Sequence, residues 1–223
     1  MKEKKLALCQ PYFAPYLGYF QLINAVDIFV SYDDVNFIKR GWIHRNKIRV
    51  NGNEMFFHIP LVKQSQNKKI NETFIYWNSK DIGKFLKTIK ISYPKSTYKG
   101  EVIELVESIL ESKPKTIADL SLLSIKQFCE YLDIKTEIKV ASKIGYKRTD
   151  NRLENIINIC KREKSNYYIN PIGGTKLYNK QAFKNYNVKL AFIKSIPSLS
   201  IIDECLSNTK EEIKIKLGEY ILV

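Results

Sequence analysis

Two adjacent aspartates, Asp33 and Asp34, are the side chains of this sequence best suited to acid–base chemistry. A carboxylate of this kind can take a proton from an amine, bind ribose hydroxyls or hold a metal ion. Because neighbouring residues of a strand point to opposite faces, the two carboxylates cannot work as one pair. We therefore expect one of them to act as a general base, with His44 as the next candidate, whereas the other can simply end the strand.

The segment KRGWIHRN, residues 39–46, combines phosphate-binding and aromatic side chains. Arginine binds phosphate through two parallel hydrogen bonds, and histidine titrates near neutral pH. A glycine within the segment, Gly41, would let the backbone bend around a pyrophosphate. The candidate substrate ligands of this segment are Arg40, Trp42, Arg45 and Asn46. The alternative is that this segment is only a charged connection leading into a hairpin, and that the indole ring of Trp42 is buried.

The stretch QPYFAPYLGYF, residues 10–20, follows a short apolar run near the start of the chain. Its prolines fix the backbone, and Gly18 allows close approach of a ligand or a neighbouring element. Tyrosines in such a loop offer flat apolar area with a hydroxyl tip, which suits stacking on a base or a sugar ring. We expect Gln10, Tyr12 and Tyr16 to contact substrate, with burial under the loop as the equal alternative for the tyrosines. The phenylalanines of the stretch favour the core.

A third unusual segment, NPIGG at residues 170–174, follows a late apolar run. It resembles a loop that cradles phosphate and runs into the amino terminus of a helix, where free N–H groups favour anions. Its spacing differs from the dinucleotide fingerprint and from the P-loop, and two glycines are as often just a tight turn. The candidate ligands are Asn170, Gly173 and Gly174. The backbone N–H groups of the two glycines could also stabilise an oxyanion.

The chain is strongly basic, since 37 lysines and arginines against 23 aspartates and glutamates give its 223 residues a net charge of +14. Such a charge favours anionic ligands, including nucleic acid. Lysine is spread throughout, and the more discriminating arginines form two clusters. These clusters are Arg40, Arg45 and Arg49, and Arg148, Arg152 and Arg162. Two interpretations stay open: the cations can bind a polyanion, or the lysines can simply be solvated.

The number and spacing of the cysteines and histidines, and the hydropathy of the sequence, exclude several classes of protein. The four cysteines are far apart and there are only two histidines, so we expect reduced thiols and no metal site. The apolar run near the start is too short for a signal peptide, and no stretch is long enough to cross a bilayer. These features predict a cytoplasmic protein without membrane insertion.

The apolar patterns predict strands that alternate with helices. Strands at 5–10 and 27–34 with a helix between them are typical of the opening of a parallel sheet, and Asn51-Gly52 between two β-rich runs predicts a hairpin. The further predicted elements are strands at 71–76, 134–140, 166–170 and 189–195, helices at 80–93, 100–111, 116–132, about 150–164 with Asp150 as its cap, and 180–188, and a closing charged helix. We expect an α/β fold with a Rossmann-like, mostly parallel sheet, an inserted β-hairpin and a helical segment. It would form one domain over residues 1–223, with a helical subdomain at about 80–133 as an option.

In open α/β sheets, ligands bind beyond the carboxyl ends of the strands, where the strand order reverses. The stretches 10–18, 33–34 and 170–174 each lie at the end of a predicted strand. We therefore expect them to share one crevice. The residues expected to line it together are Gln10, Asp34, Arg45 and Gly173.

Residues 10–48, QPYFAPYLGYFQLINAVDIFVSYDDVNFIKRGWIHRNKI, resemble the opening of the WbqC-like family of O-antigen gene clusters. SYPKSTY at 92–98, YINPIGGTKLY at 168–178 and PSLSIID at 197–203 resemble later motifs of the same family. The resemblance implies a place in the synthesis of unusual surface sugars and the transfer of a glycyl or other amino-acyl group onto an amino sugar. The chain departs from the family in two ways. Members commonly have Asn where His44 stands, and relatives carry a longer insertion before PSLSIID, so part of a substrate wall could come from another subunit of a homo-oligomer.

With this resemblance, the residues favour an N-acyltransferase that acts on a nucleotide-linked amino-deoxy sugar in O-antigen or surface polysaccharide biosynthesis. Tyrosines would stack on the base, Arg40 and Arg45 would bind the pyrophosphate, and Asp33 or Asp34 would accept the proton of the amine. No cofactor is certain, and the acyl donor stays open among an aminoacyl-tRNA, an ATP-activated amino acid and a CoA thioester. The alternative is a non-catalytic protein that binds a sugar nucleotide or RNA and assists a biosynthetic complex.

A fainter resemblance links the stretch FAPYLGY to the F-x-P-x-H-x-G-H block of nucleotidylyltransferases. Tyr16 and Tyr19 stand at the histidine positions of that block. Because a phenol cannot supply imidazole chemistry, adenylyl transfer is not expected.

Overall fold

The computed structural model describes residues 3–223, and a six-stranded sheet forms its centre. The strands in chain order are β1 (Lys5–Cys9), β2 (Ile28–Ser31), β3 (Arg45–Val50), β4 (Asn53–His58), β5 (Glu137–Val140), β6 (Tyr167–Pro171), β7 (Lys189–Lys194) and β8 (Ile221–Leu222). The helices are α1 (Leu17–Asn24), α2 (Lys80–Ser92), α3 (Lys99–Glu111), α4 (Ile117–Tyr131), α5 (Ala141–Ile144), α6 (Arg152–Arg162), α7 (Lys180–Lys184), α8 (Ile201–Ser207) and α9 (Lys210–Gly218). Short 3-10 helices span Ile70–Glu72 and Ile172–Lys176.

The sheet has the order β5-β2-β1-β6-β7-β8, in which β8 is antiparallel and the other strands are parallel. Strand β1 is covered on both faces, because Ala7 packs into one core cluster whereas Leu6 and Leu8 pack into another. A strand buried on both faces needs a continuous apolar run, which the residues of β1 supply. The predicted α/β fold with a mostly parallel, Rossmann-like sheet is confirmed.

The predicted hairpin is also present, as a separate two-stranded sheet made of β3 and β4. Its turn residues, Asn51 and Gly52, have φ angles of 50° and 81°. Positive φ at both central positions is what a two-residue turn between twisted strands requires, and Asn-Gly adopts it at low cost. One face of the hairpin packs into the core through Ile48 and Phe57.

The helices α2, α3 and α4 lie between the hairpin and β5 in the chain, close to the predicted ranges. Thr116 caps α4, since its hydroxyl accepts a hydrogen bond from the backbone N–H of Asp119 at 3.2 Å. Phe85 of α2 and Phe128 of α4 belong to the same core cluster as Phe29 of the sheet. The helical segment and the sheet therefore share one core.

The predicted strand at 71–76 is wrong. A 3-10 helix covers Ile70–Glu72, and Phe74 and Ile75 form only isolated bridges. The extended stretch that follows the 3-10 helix cannot pair along one partner strand, because the N–H groups of Ile75 and Tyr76 bind carbonyls of two different segments.

Three predicted helix boundaries are also wrong, and one of them is the end of α7, which lies at Lys184 rather than at residue 188. Helix α6 is capped by Asn151 rather than Asp150, because the Asn151 Oδ1 accepts hydrogen bonds from two N–H groups of the first turn, at 2.9 and 3.2 Å. The closing segment is divided into α8 and α9 and ends in β8. The division follows from Thr209, which caps α9 with Glu212 in a reciprocal capping box.

The loop at residues 10–18 is irregular because its backbone groups bind different elements. The N–H of Phe13 donates to the carbonyl of Ile43 ahead of β3 at 2.9 Å, and the carbonyl of Pro15 accepts from Ile201 of α8 at 2.7 Å. These bonds fasten the hairpin and α8 to the carboxyl end of β1.

Close packing completes this loop. A Cβ added to Gly18 would lie 2.6 Å from the Cβ of Ser195, so glycine is needed for the approach of a neighbouring element. Phe13 and Phe20 are almost completely buried, at 1% and 0% exposure. The phenylalanines of the stretch are therefore core residues.

Candidate functional site

A crevice of about 490 Å³ opens beyond the carboxyl ends of β1, β2 and β6. The chain leaves β1 toward β2 on one side, whereas β6 lies on the other side of β1, so the strand order reverses between β1 and β6. Open α/β sheets bind their ligands at this position. We refer to this space as the switch-point crevice.

The switch-point crevice collects some of the residues predicted from the sequence and leaves others out. Those that line it are Gln10, Tyr12, Asn170, Gly173 and Gly174. Those outside its lining are Tyr16, Asp33, Asp34, Arg40, Trp42, His44, Arg45 and Asn46. The loops after β1 and β6 therefore meet as expected, whereas the expectation that Arg45 shares their crevice is wrong, because the segment 39–46 lies on the hairpin side.

Tyrosine rings form much of the wall of this crevice, and they are Tyr12, Tyr32, Tyr168 and Tyr178. Burial raises the pKa of each of these hydroxyls, so all four are neutral hydrogen-bonding groups at pH 7. Three of these rings can offer a face to a nucleobase or a sugar ring, whereas Tyr168 is 1% exposed and stacks on Phe183. The sequence stretch at 10–20 predicted one of these rings, and the other three come from the residue after β2, from β6 and from the loop before α7.

Asn170 is fixed by its neighbours. Its Oδ1 accepts a hydrogen bond from the Tyr168 hydroxyl at 3.1 Å. Its Nδ2 lies where a Cβ on Gly174 would be only 1.7 Å away, so glycine is required at 174 for packing. Gly173 has open space around it and stands in the first turn of the 3-10 helix, where backbone N–H groups lack partners within the helix. The expected helix amino terminus is thus a 3-10 helix of five residues.

Arg152, which was not among the candidate ligands, supplies the crevice with a positive charge. It is the first residue of α6, is exposed and lines the crevice. Its charge opposes the burial effect on the pKa of both Tyr32 and Tyr178. In the sequence, the cluster of Arg148, Arg152 and Arg162 was the feature that indicated this residue. Its other members are engaged elsewhere, since Arg148 pairs with a carboxylate and Arg162 donates to a backbone carbonyl.

Asp34 does not line the switch-point crevice, although Tyr32 and Val35 on either side of the aspartate pair do, so the expectation that it shares the crevice with Gln10 and Gly173 is also wrong. Its Oδ2 accepts from the Tyr146 hydroxyl at 3.0 Å and pairs with Arg148 Nη1 at 2.6 Å. Its Oδ1 is buried and has no hydrogen-bond partner within residues 3–223. A buried carboxylate oxygen without a donor is costly, so this atom is an unsatisfied acceptor of the folded chain.

Asp33 has a structural role on the other side of β2. One carboxylate oxygen accepts from the N–H of Ser142 at 3.0 Å. The other accepts from the Ser142 hydroxyl at 2.6 Å and from the amide of Asn71 at 3.1 Å. The carboxylate thus clips α5 and a 3-10 helix to the end of β2, and both of its oxygens are engaged.

The pKa of His44 lies below the near-neutral value expected from the sequence. Its ring is buried, and burial followed by the nearby charges of His58 and Arg45 lowers its pKa to about 4. The imidazole is therefore neutral at pH 7. Its Nδ1 has no partner in the part of the chain that the structure describes, and it packs against Phe37 with ring centroids 5.5 Å apart. In this environment the histidine ring packs within the segment that leads into the hairpin.

Two further candidates of the segment 39–46 hold the backbone in place. The side-chain amide of Asn46 is buried and donates to the carbonyl of Ala14 at 2.9 Å. The guanidinium of Arg45 donates to the carbonyls of Arg40 and Gly41, the latter at 3.0 Å. Both side chains stabilise turns, and the guanidinium of Arg45 also lies over the rings of Phe56 and Trp42.

Comparison with known proteins places these residues in a family. A model of the WbqC-like protein family matches residues 10–215. The chain belongs to the WbqC-like family. A relative in Mycobacterium tuberculosis (strain ATCC 25618 / H37Rv), the uncharacterized protein Rv1507c, is 27% identical over 192 residues, which cover 85% of this chain and 81% of the relative. No solved structure matches the chain.

The motifs that resemble the WbqC-like family join one another in the fold. Tyr16 of the opening motif and Ser200 of the late motif form an antiparallel bridge. Asp203 of the late motif is 1% exposed and accepts hydrogen bonds at 2.6 Å from the hydroxyl of Tyr93 and from the N–H of Arg49. The middle motif, the late motif and the hairpin therefore meet at one buried carboxylate, away from the switch-point crevice.

One observation limits the nucleophiles available to this WbqC-like protein at the crevice. Burial raises the pKa of the Cys9 thiol at the crevice to about 12, so the group is protonated and a poor nucleophile at pH 7. Within residues 3–223, helices that combine the length and hydropathy of a membrane span are absent.

Proposed function

We propose that this WbqC-like protein binds the nucleotide part of a nucleotide-linked amino-deoxy sugar in the switch-point crevice and transfers an acyl group onto the amine of the sugar. The observation that carries the proposal is the combination of Arg152 with the partly exposed rings of Tyr12, Tyr32 and Tyr178 at the point where the strand order reverses. A guanidinium binds two phosphate oxygens at once, and the rings offer stacking area to a base. Gln10 and Asn170 add amides that can select among hydroxyl positions. The acyl group would be glycyl or another amino-acyl, as the family's place in O-antigen gene clusters suggests.

The transfer needs a base and a site for the oxyanion. The amine nitrogen attacks the acyl carbon, the new C–N bond forms, and the proton lost by the nitrogen passes to a carboxylate. Asp34 is the better of the two aspartates for this task, because its Oδ1 lacks a partner within the described residues whereas both oxygens of Asp33 are engaged. The backbone N–H groups near Gly173 would hold the oxyanion until the C–O or C–S bond to the donor breaks. The leaving group is the tRNA hydroxyl, AMP or CoA thiol, according to the donor.

A second candidate function is sugar-nucleotide binding without catalysis. It is favoured by one observation, namely that the residues lining the crevice within 3–223 include no carboxylate, and that their one thiol is protonated at pH 7. In that case the protein would present its ligand to another enzyme. The two functions differ in whether the carboxylate of Asp34 is needed for anything besides binding.

Calorimetric titration with dTDP- and UDP-linked 4-amino-4,6-dideoxy sugars tests the binding step. We expect Arg152→Gln to weaken the affinity by about 10- to 100-fold, since a hydrogen bond to a charged group is worth about 1.5–3 kcal/mol. Lys161→Gln is the matched control, because it removes a positive charge from the last turn of the same helix, outside the crevice. Equal affinities of the wild type and Arg152→Gln would contradict the assignment of the crevice.

Product formation tests the transfer step. The wild type, Asp34→Asn and Asp33→Asn are each incubated with the amino-sugar nucleotide and one donor at a time, and the amide product is detected by mass spectrometry. Asp34→Asn should abolish the product while it leaves the sugar-nucleotide affinity within several-fold. If the wild type binds the sugar nucleotide and forms no amide with any donor, the non-catalytic function is correct.

A further inference from the structure

The outward face of the β3–β4 hairpin carries an unusual set of side chains. In the register of the hairpin, Arg45 lies opposite His58, Lys47 opposite Phe56, and Arg49 opposite Glu54. Residues that are directly opposed in an antiparallel pair lie on the same face. The intervening residues Asn46, Ile48 and Phe57 are buried. The face that carries the cations is therefore the solvent face, and we call it the ribbon face.

Two aromatic rings lie on the ribbon face in a stacked arrangement. The rings of Trp42 and Phe56 have centroids 6.1 Å apart and planes inclined by 24°. They are 43% and 50% exposed, so neither ring is needed to fill the core. The alternative expected from the sequence, a buried Trp42, is wrong. Large exposed aromatic residues that adjoin each other usually mark a contact surface.

Positive charges surround this aromatic pair. The guanidinium of Arg45 lies 5.1 Å from the centroid of Phe56, and the ammonium of Lys47 lies 4.9 Å from it. Glu54 pairs with Lys47 at 2.7 Å and supplies one negative charge to the face. The side chain of Arg49 is 54% exposed, although its Nη2 also lies 4.0 Å from the buried Oδ2 of Asp203, and Lys39 and Arg40 precede the aromatic pair in the chain. The ribbon face therefore combines stacking area with an excess of cations.

We propose that the ribbon face binds an unpaired strand of nucleic acid, with bases stacked on Trp42 and Phe56 and phosphates bound by Arg45, Lys47 and Arg49. Exposed bases stack on aromatic side chains and on arginine planes, and a positively charged surface follows the backbone. The net charge of +14 adds attraction at long range. A second copy of the chain fits the face poorly, since two such surfaces would repel each other. The inference is independent of the proposed sugar nucleotide, because Trp42, Arg45, Lys47 and Phe56 do not line the switch-point crevice.

Fluorescence anisotropy with a labelled single-stranded RNA of about 12 nucleotides tests the proposal at physiological salt. We expect Trp42→Ala and Phe56→Ala each to weaken binding by about 5- to 150-fold, which is the range for the loss of one base–aromatic stack. Trp42→Phe should retain most of the affinity because it keeps a ring. Tyr186→Ala is the matched control, because Tyr186 is also exposed and also carries a cation, Lys161, over its ring at 5.4 Å.

A direct signal comes from the indole itself. The chain has two tryptophans, and Trp77 is tied to the carbonyl of Pro114 by its Nε1–H at 2.9 Å. In a Trp77→Phe background, single-stranded RNA should quench the fluorescence of Trp42, and a fully paired RNA duplex should bind more weakly and quench less. Failure to bind the single strand at any salt concentration, equal binding of the duplex, or equal effects of Tyr186→Ala and Trp42→Ala would overturn the proposal. Light scattering that shows Trp42→Ala to dissociate a dimer would identify the ribbon face as a self-association surface instead.

Discussion

Removing each of the two adjacent carboxylates in turn should separate a structural aspartate from a functional one. In Asp33→Ala, three donors lose their acceptor, namely the N–H and the hydroxyl of Ser142 and the amide of Asn71. A donor that folding removes from water and leaves without an acceptor costs about 1–3 kcal/mol. Because Ser142 is exposed and Asn71 is half-buried, water can replace part of these bonds, and we expect the free energy of unfolding to fall by about 2 kcal/mol.

Asp34→Ala should behave differently. Its two donors are the Tyr146 hydroxyl and Arg148, and the side chain of Arg148 is 41% exposed and can turn to water. The substitution also removes the buried Oδ1, which has no partner within residues 3–223 and is itself unfavourable. The two effects oppose each other, so the free energy of unfolding should change by no more than about 1 kcal/mol.

Urea unfolding and thermal unfolding at pH 7 measure this contrast. In a protein of this size, 1 kcal/mol corresponds to about 2–4 °C in Tm. The Tm of Asp33→Ala should therefore fall by about 4–8 °C and that of Asp34→Ala by at most about 4 °C, whereas only Asp34→Ala should lose transfer activity as a folded protein. Equal losses of stability, or a larger loss in Asp34→Ala, would refute the division of roles that the hydrogen bonds suggest.

Three further substitutions probe packing and pH dependence. Gly18→Ala should destabilise the protein by about 1–3 kcal/mol, because the new Cβ would lie 2.6 Å from that of Ser195, and thermal unfolding measures the loss. Gly83→Ala, in the interior of α2 with no atom near the new Cβ, should stabilise it by up to about 1 kcal/mol in the same assay. Burial lowers the pKa of His44 from 6.5 to about 4, so the unfolded chain binds a proton first as the pH falls. The wild type should therefore lose about 2–3 kcal/mol of stability between pH 7 and pH 4.5 that His44→Asn does not lose, and His58→Asn, at an exposed position, is the control in urea titrations at both pH values.

Elements with local determinants could be predicted from the sequence. The apolar run of β1 and the Asn51-Gly52 turn contain nearly all the information that their structures need. That the loops after β1 and β6 meet could also be predicted from the sequence, because ligands bind beyond the carboxyl ends of parallel strands and both loops follow predicted strands. The false strand at 71–76 shows the limit of such patterns, since its backbone partners belong to two separate segments.

Site residues that depend on tertiary neighbours could not be assigned in this way. Arg152 and Tyr178 acquire their role only where loops after different strands converge. Asn46 has the type of a ligand, but its amide is buried against the carbonyl of Ala14. The pKa of His44 depends on burial that the sequence does not display. Strand geometry predicted that the side chains of Asp33 and Asp34 point in opposite directions. Which of the two contacts Ser142 depends on the position of α5, which the sequence does not show.

The bonds that fasten the loop at residues 10–18 also order the events of folding. The N–H of Leu17 binds the hydroxyl of Ser198, 181 residues further along the chain, and β1 pairs directly with β6. A ribosome adds about 5–20 residues per second, so the first strand waits many seconds for partners that do not yet exist. During that interval the aromatic rings after β1 lack the residues that will cover them, and contacts of such long range form slowly. The switch-point crevice is therefore among the last parts of the molecule to assemble, and a chain interrupted before about residue 200 carries its opening motif without a site.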